Sequence, residues 1–212
     1  NVFINVIAVS GFTRSGMKVN RSHIKLKQAQ YQIQQGDLTA AQLILKGLFR
    51  KFPRDLNIVF LTGQLYGMIG DHCQAERVFA SVSHMNNLPA PLLFNLGLSQ
   101  AQQGRLTEAV ASFQKALKID PANIKYLANI CGSLVELERY EDALLWISRW
   151  LEQAPESPDP LMHQAICYQA THKWDQAALA YQQALDRGSD KYQGYLNLSV
   201  VNKQRGFILG AI

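Results

Sequence analysis

Residues 91–121, PLLFNLGLSQAQQGRLTEAVASFQKALKIDP, place small and large side chains at positions that return along almost the whole chain. Leu93, Leu96, Gly97, Gly104, Ala109, Phe113, Ala116 and Pro121 form the template. A step of 34 residues back lands on Gly63, Gly70, Ala75 and Phe79; a step of 34 forward lands on Ala143 and Pro155, and one more on Ala177, Tyr181 and Ala184. A fixed interval of this length, with small residues at set places and a closing proline, marks an array of helix–turn–helix units. No insertion breaks the phase between residues 22 and 212.

The pattern resembles the tetratricopeptide repeat. The resemblance covers residues 22–55, 56–89, 90–123, 124–157 and 158–191 as repeats and 192–212 as a partial one, after a non-repeat segment, 1–21. It implies an all-α fold, a right-handed superhelical solenoid of antiparallel helix pairs with five full repeats and a partial sixth. In such an array each repeat buries its apolar faces against its neighbours rather than in one central core.

The residues supply local reasons for the pairs. In the first repeat the spacing predicts helices over 23–35 and 37–50, with Gly36 at the tight turn between them; the same role is expected of Gly70, Gly104 and Gly206. Asp37 and Asp71 offer an oxygen acceptor where the second helix begins. Pro53, Pro121 and Pro155 stop the second helix by removing a donor and restraining the residue before. Ala41, Ala75, Ala109, Ala143 and Ala177 mark the closest approach of the two helices, and Phe79, Phe113, Tyr181, Leu45 and Ile147 fill the gap toward the next repeat as core. The fourth repeat diverges: Cys131 replaces a glycine or alanine, Glu138 the turn glycine and Trp150 a small residue. Trp146 and Trp150 share one helix face and are expected to plug the enlarged gap, the alternative being an exposed apolar patch.

With 48% hydrophobic and 17% charged residues, the 212-residue chain has the composition of a folded protein. The net charge of +5 is unevenly placed: residues 1–55 hold nine Lys or Arg against Asp37 and Asp55, and the remainder is slightly acidic. No nucleic-acid motif or aromatic interleaving accompanies the basic end, so nucleic acid is not an expected partner. Cys73, Cys131 and Cys167 lack metal or redox spacing and are expected as buried, reduced thiols, which favours a cytoplasmic location. The apolar run at 2–9 is too short to span a bilayer. Residues 11–16, GFTRSG, look faintly like the phosphosulfate-binding loop of sulfotransferases, but no strand–helix alternation follows to build that domain.

Five scattered histidines and the absence of an HExxH, phosphate-loop or nucleophile-elbow pattern point away from catalysis, metals and cofactors. In tetratricopeptide arrays the first helices line an inner groove, and the sixth place of each repeat reads Lys27, Leu61, Asn95, Asn129, His163, Asn197. An asparagine carries both donor and acceptor, as an extended peptide backbone requires. This row resembles the asparagine ladder of superhelical tetratricopeptide arrays attached to glycosyltransferases, where it holds protein substrates by their backbone. Asn95, Asn129 and Asn197 match; Lys27, Leu61 and His163 depart. The dicarboxylate clamp of chaperone-tail binders does not fit, since its Lys and Asn would fall on Leu26 and Gln30. Phe60, Gln64, Phe94, Leu98 and Lys125 complete the expected peptide-binding set, and exposure of Phe60 and Phe94 would separate a groove from ordinary packing.

The sequence thus predicts a non-enzymatic protein–protein interaction module that binds an extended peptide on the concave groove. The alternative is the substrate-recruiting arm of a larger transferase of glycosyltransferase or sulfotransferase type. No transmembrane span is expected. The apolar end at 207–212 makes self-association through the C-terminal edge a further expectation.

Overall fold

The computed structural model describes the backbone of residues 18–209 and the side chains of residues 21–206. The apolar run at 2–9, the loop at 11–16 and the side chains of the tail from 207 onward lie outside the described residues. Eleven helices and no strand occupy the described residues. The helices group into two compact units, one up to Gln103 and one from Gly104.

Unit 1 contains α1 (Lys18–Gln34), α2 (Leu38–Lys51), α3 (Leu56–Met68), α4 (His72–Ala80) and α5 (Ala90–Ala101). Each packs on the next, and the first helices of successive repeats also meet, α1 on α3 and α3 on α5. Ala41 and Leu45 of α2 and Leu65 of α3 are fully enclosed in the core shared by α1, α2 and α3. Unit 2 contains α6 (Leu106–Ile119), α7 (Ile124–Glu136), α8 (Tyr140–Gln153), α9 (Asp159–Ala170), α10 (Trp174–Asp186) and α11 (Lys191–Leu209). Consecutive helices pack there too, and α7 reaches α9.

The repeat interval is written in the backbone. Residues 36, 70, 104, 138 and 172 all have positive φ, at 80°, 79°, 75°, 58° and 58°. Around 36, 70, 138 and 172 the same pair of bonds closes the helix: in the first repeat Gly36 N donates to Ile33 O and Asp37 N to Gln32 O, and in the fourth Glu138 N donates to Val135 O and Arg139 N to Leu134 O. This left-handed cap satisfies carbonyls that the helix end leaves free. Glu138 and His172 therefore take a glycine's conformation with a side chain attached, which costs roughly 1–2 kcal/mol. Glu138→Gly is expected to raise stability by about 0.5–1 kcal/mol, after the entropy cost of glycine is subtracted, and a urea melt reads the gain. His172→Gly should gain less, because the ring it removes lies 5.1 Å from Trp174.

Gly206 departs from the expectation, since α11 runs through it to Leu209. A glycine permits the left-handed turn but does not impose it, and the residues described after it continue the helix. Asp37 and Asp71 cap as expected, accepting from Ala40 N at 2.9 Å and Gln74 N at 3.0 Å. Arg105, Arg139 and Lys173 hold the cap place later and have no side-chain cap bond. Acidic residues in the first turn, such as Glu108, Asp142 and Asp175, offset the helix dipole instead. Before Pro53, Pro121 and Pro155 the chain leaves helical ψ at Phe52, Asp120 and Ala154.

The five marker alanines have no exposed surface, and Phe79, Phe113, Tyr181, Leu45 and Ile147 are all buried. Trp150 is enclosed against the His163 ring at 5.4 Å, as a plug would be. Trp146, on the same helix, is only half-buried, with the Arg149 guanidinium 5.8 Å above its ring, so the pair does not act as one unit. The cysteines also divide. Cys131 and Cys167 are buried, and burial pushes their thiols up to about 12 and about 11, which keeps both protonated at neutral pH. Cys73, expected in the core, is exposed. Its place precedes the marker alanine by two residues, which turns it off the packed stripe of α4.

Candidate functional site

The site begins on α3, whose run LNIVFLTGQLYGM is buried from Ile58 to Gly63 because it meets helices on both sides. Gly63 and Gly67 stand four residues apart and so lie on one face, one turn from each other. The ring of Phe79, from α4, occupies the space over Gly63. Over Gly67 there is open space, for a Cβ added there would meet nothing within 4 Å.

That open space belongs to a cavity of about 340 Å³ contained in unit 1. Leu61, Gln64 and Met68 of α3 form one wall, Asn95, Leu98, Ser99 and Gln102 of α5 the other; Ile33 of α1 and Phe79 of α4 close it. The walls are largely apolar, with a few amides at the edge, which is the usual make-up of a ligand-accepting hollow. Asn95 is oriented by its own helix: Nδ2 donates to Pro91 O at 2.7 Å, the carbonyl four residues back. Its Oδ1 has no partner among the described residues.

Just past the end of α5, Gln103 bonds across to α4. Its Nε2 lies 2.7 Å from Ser99 O, 3.0 Å from Glu76 Oε2 and 3.2 Å from His72 O, and its Oε1 accepts from Cys73 Sγ at 3.1 Å. One amide thus ties the end of α5 to the first turns of α4. Sequence reasoning missed Gln103 and Gly67. Apart from Ser99, the partners of Gln103 are 27 to 31 residues away and give no local signal. Gly67 falls outside the repeat template, although its helix spacing from Gly63 was there to be read.

Of the expected peptide-binding residues, Leu98, Gln64 and Asn95 come together here, joined by Leu61 from the same row. Phe94 is half-buried and Lys27 is exposed. Phe60 has 8% of its surface exposed and is ordinary packing; it follows Val59, fully buried at the template place, on a helix enclosed on both sides.

In unit 2 the row makes bonds of the same kind, and only Asn197 goes beyond them. Asn129 Nδ2 donates to Lys125 O at 2.8 Å, and His163 Nδ1 meets Asp159 O at 2.9 Å, each repeating the four-residue back-bond of Asn95. Lys125 is exposed. Asn197 is more fully engaged: Oδ1 accepts from Gln193 Nε2 at 2.9 Å, and its side chain also bonds the Tyr181 hydroxyl, which donates to Gln169 Oε1 at 2.8 Å. Burial pushes the Tyr181 phenol up to about 12, the Asn197 bond opposing the shift. Gln169, Trp174, Tyr181 and Asn197 edge a second, wider hollow of about 520 Å³.

Among the described residues no three His, Cys, Asp or Glu side chains stand together as metal ligands, and no helix is long and apolar enough to cross a membrane.

Two models described as tetratricopeptide repeat match residues 69–124 and 100–166. A curated relative, the DnaJ homolog subfamily C member 7 homolog of Schizosaccharomyces pombe, is 26% identical over 175 residues. The match takes in 75% of this chain, which spans only 37% of that protein. Among solved structures, the MamA protein aligns with a TM-score of 0.76 at 14% identity, covering 82% of this chain and 96% of that one. YrrB, described as a tetratricopeptide repeat protein with an unusual peptide-binding site, aligns with a TM-score of 0.73 at 15% identity, covering 81% and 88%. These likenesses concern the fold, and arrays of this kind serve as protein-interaction scaffolds. The left-handed turns at every thirty-fourth residue, the enclosed alanines and the matched repeat models together make this chain a tetratricopeptide repeat protein.

Proposed function

We propose that this chain is an interaction module that holds an extended segment of a partner protein along the side formed by the first helices of its repeats. The observation that carries this reading is the convergence of Leu61, Gln64, Asn95 and Leu98 on one cavity in unit 1. Asn95 presents an oriented acceptor at the edge of an apolar hollow, which suits an extended peptide whose amide N–H needs a partner while a side chain turns inward. Asn129 repeats the same back-bonded orientation within unit 2 and is the contact that unit offers by itself. Asn197, whose oxygen and amide both serve the fold, is the weakest of the three as a ligand contact. Lys27, Lys125 and Phe94 stand as further contacts, and His163 as one partly committed to Trp150.

Peptides selected by the wild-type protein from a displayed library of random twelve-residue segments should lose about tenfold in affinity on Asn95→Ala, the value of one hydrogen bond of about 1.4 kcal/mol. Asn129→Ala should cost a similar factor. Far-UV circular dichroism should be unchanged, since both residues are partly exposed. Equal binding of the selected peptides by Asn95→Ala and Asn129→Ala would remove the reading.

A further inference from the structure

We infer that the cavity between α3 and α5 seats one large apolar side chain of the partner segment, and that Lys27 selects an acidic residue about three positions away from it. The inference rests on the proposed peptide-holding role and adds to it a sequence requirement on the partner.

The anchor follows from what the hollow is made of. Gly67 leaves a bare patch on α3, Leu61 and Phe79 form an apolar floor, and Leu98 faces across from α5. At about 340 Å³ the space lies at the small end of the range for ligand sites and suits a single Leu, Met or Phe side chain rather than a cofactor. Such a side chain, once seated, is screened from water by the amides of Gln64, Asn95 and Gln102, the arrangement in which one buried anchor dominates binding.

The charge preference follows from the neighbouring helices. α3 and α5 carry no charged residue, and α1 carries Arg21, Lys25 and Lys27 among its described side chains and no carboxylate. Lys27 is exposed and has no ion-pair partner among the described residues. It holds the same repeat place as Leu61 and Asn95, both of which line the cavity, so the row runs Asn95, Leu61, Lys27 across α5, α3 and α1. Neighbouring helix axes lie roughly 10 Å apart, and an extended chain advances roughly 3.3 Å per residue. The cavity lies half a spacing beyond α3, and the long Lys27 side chain, laid toward α3, makes up about that distance, so a segment anchored at the cavity and laid across the row brings its third residue from the anchor to the Lys27 ammonium. An Asp or Glu there is complementary and a Lys is repelled.

The test uses synthetic nine-residue peptides of Gly, Ser and Ala, with Leu or Ala at the centre and Glu or Lys three residues to either side, read by fluorescence polarisation. The Leu–Glu peptide should bind at least about tenfold better than its Ala–Glu and several-fold better than its Leu–Lys counterpart. Gly67→Met fills the hollow from within a helix where the new Cβ meets nothing, and should remove the preference for Leu while preserving helicity. Lys27→Glu should invert the preference for Glu over Lys. If Asn95→Ala weakens the peptides but Gly67→Met and Lys27→Glu leave both preferences intact, the anchor and its acidic neighbour are wrong and the peptide-holding role stands. If the wild-type protein binds none of these peptides yet captures others from the displayed library, the sequence requirement alone falls. If it binds neither, both fall.

Discussion

Gly63→Ala is expected to destabilise unit 1 by about 1 kcal/mol, whereas Gly67→Ala, one turn along the same helix, should stabilise it by about 0.5–1 kcal/mol. An alanine Cβ at 63 would stand 2.4, 2.6 and 2.7 Å from three carbons of the Phe79 ring. Contacts below 3 Å demand movement, and Phe79 is only 1% exposed, so its ring can shift only toward the hollow that it closes, which gives up part of its packing between α3 and α4. Overpacking of this kind costs roughly 1–3 kcal/mol, occasionally more, and the helix propensity gained by replacing glycine returns about 1 kcal/mol. At Gly67 only the propensity remains, since the added methyl enters open space. Urea unfolding followed by circular dichroism reads both signs. Adding Phe79→Leu to Gly63→Ala should restore more than half the loss, because the smaller side chain frees the space the methyl needs. A Gly63→Ala protein as stable as wild type would show that the ring can shift freely, and the tight packing of α3 on α4 would be wrong.

The contrast between the two glycines shows what the sequence could reveal. Gly63 recurs as Gly97 and Ala165, so a periodic reading finds it, and helix pairs, capping aspartates, terminal prolines and enclosed alanines were legible on the same ground: each is a local or periodic requirement. Glu138 and His172 were harder, because their left-handed backbone is imposed by the bonds that close the helix end and not by the residue itself. Gly206 shows the converse, a residue able to turn that lies in a continuous helix. The candidate site was half legible. Leu61, Gln64, Asn95 and Leu98 could be placed on one side of the array from their register. That Asn95 would be held by Pro91 O, that Asn197 would be taken up by Gln193 and Tyr181, and that Gln103 would bridge α5 to α4 depends on side-chain rotamers and on partners in other helices. Periodicity carries no information about either. Phe60 fails for a related reason: register says which turn of α3 it occupies, but not that the helices flanking α3 cover it.

Tyr181→Ala is the change expected to cost unit 2 most, about 3–5 kcal/mol. The ring is 1% exposed and packs in a cluster with Ala165 of α9, Ala177, Ala178 and Ala180 of α10, and Val201 of α11. Its small neighbours cannot expand to fill the space, so the cavity term adds to the lost burial. The hydroxyl has a separate role, since it donates to Gln169 Oε1 and meets the Asn197 side chain, linking α10 to α9 and α11 at once. Tyr181→Phe keeps the packing and removes that link, leaving two partly buried amides without their partner; it should cost about 1–1.5 kcal/mol. The two variants also differ in where the loss appears. Without the ring, amide exchange should rise along the whole of α11, because Tyr181 and Val201 share the buried contact that holds this helix. Without the hydroxyl alone, faster exchange should be confined to the turns around Gln169 and Asn197. If Tyr181→Phe costs as much as Tyr181→Ala, the polar link and not the packed ring secures α11, and Asn197 then belongs wholly to the fold and drops out of the partner-binding row.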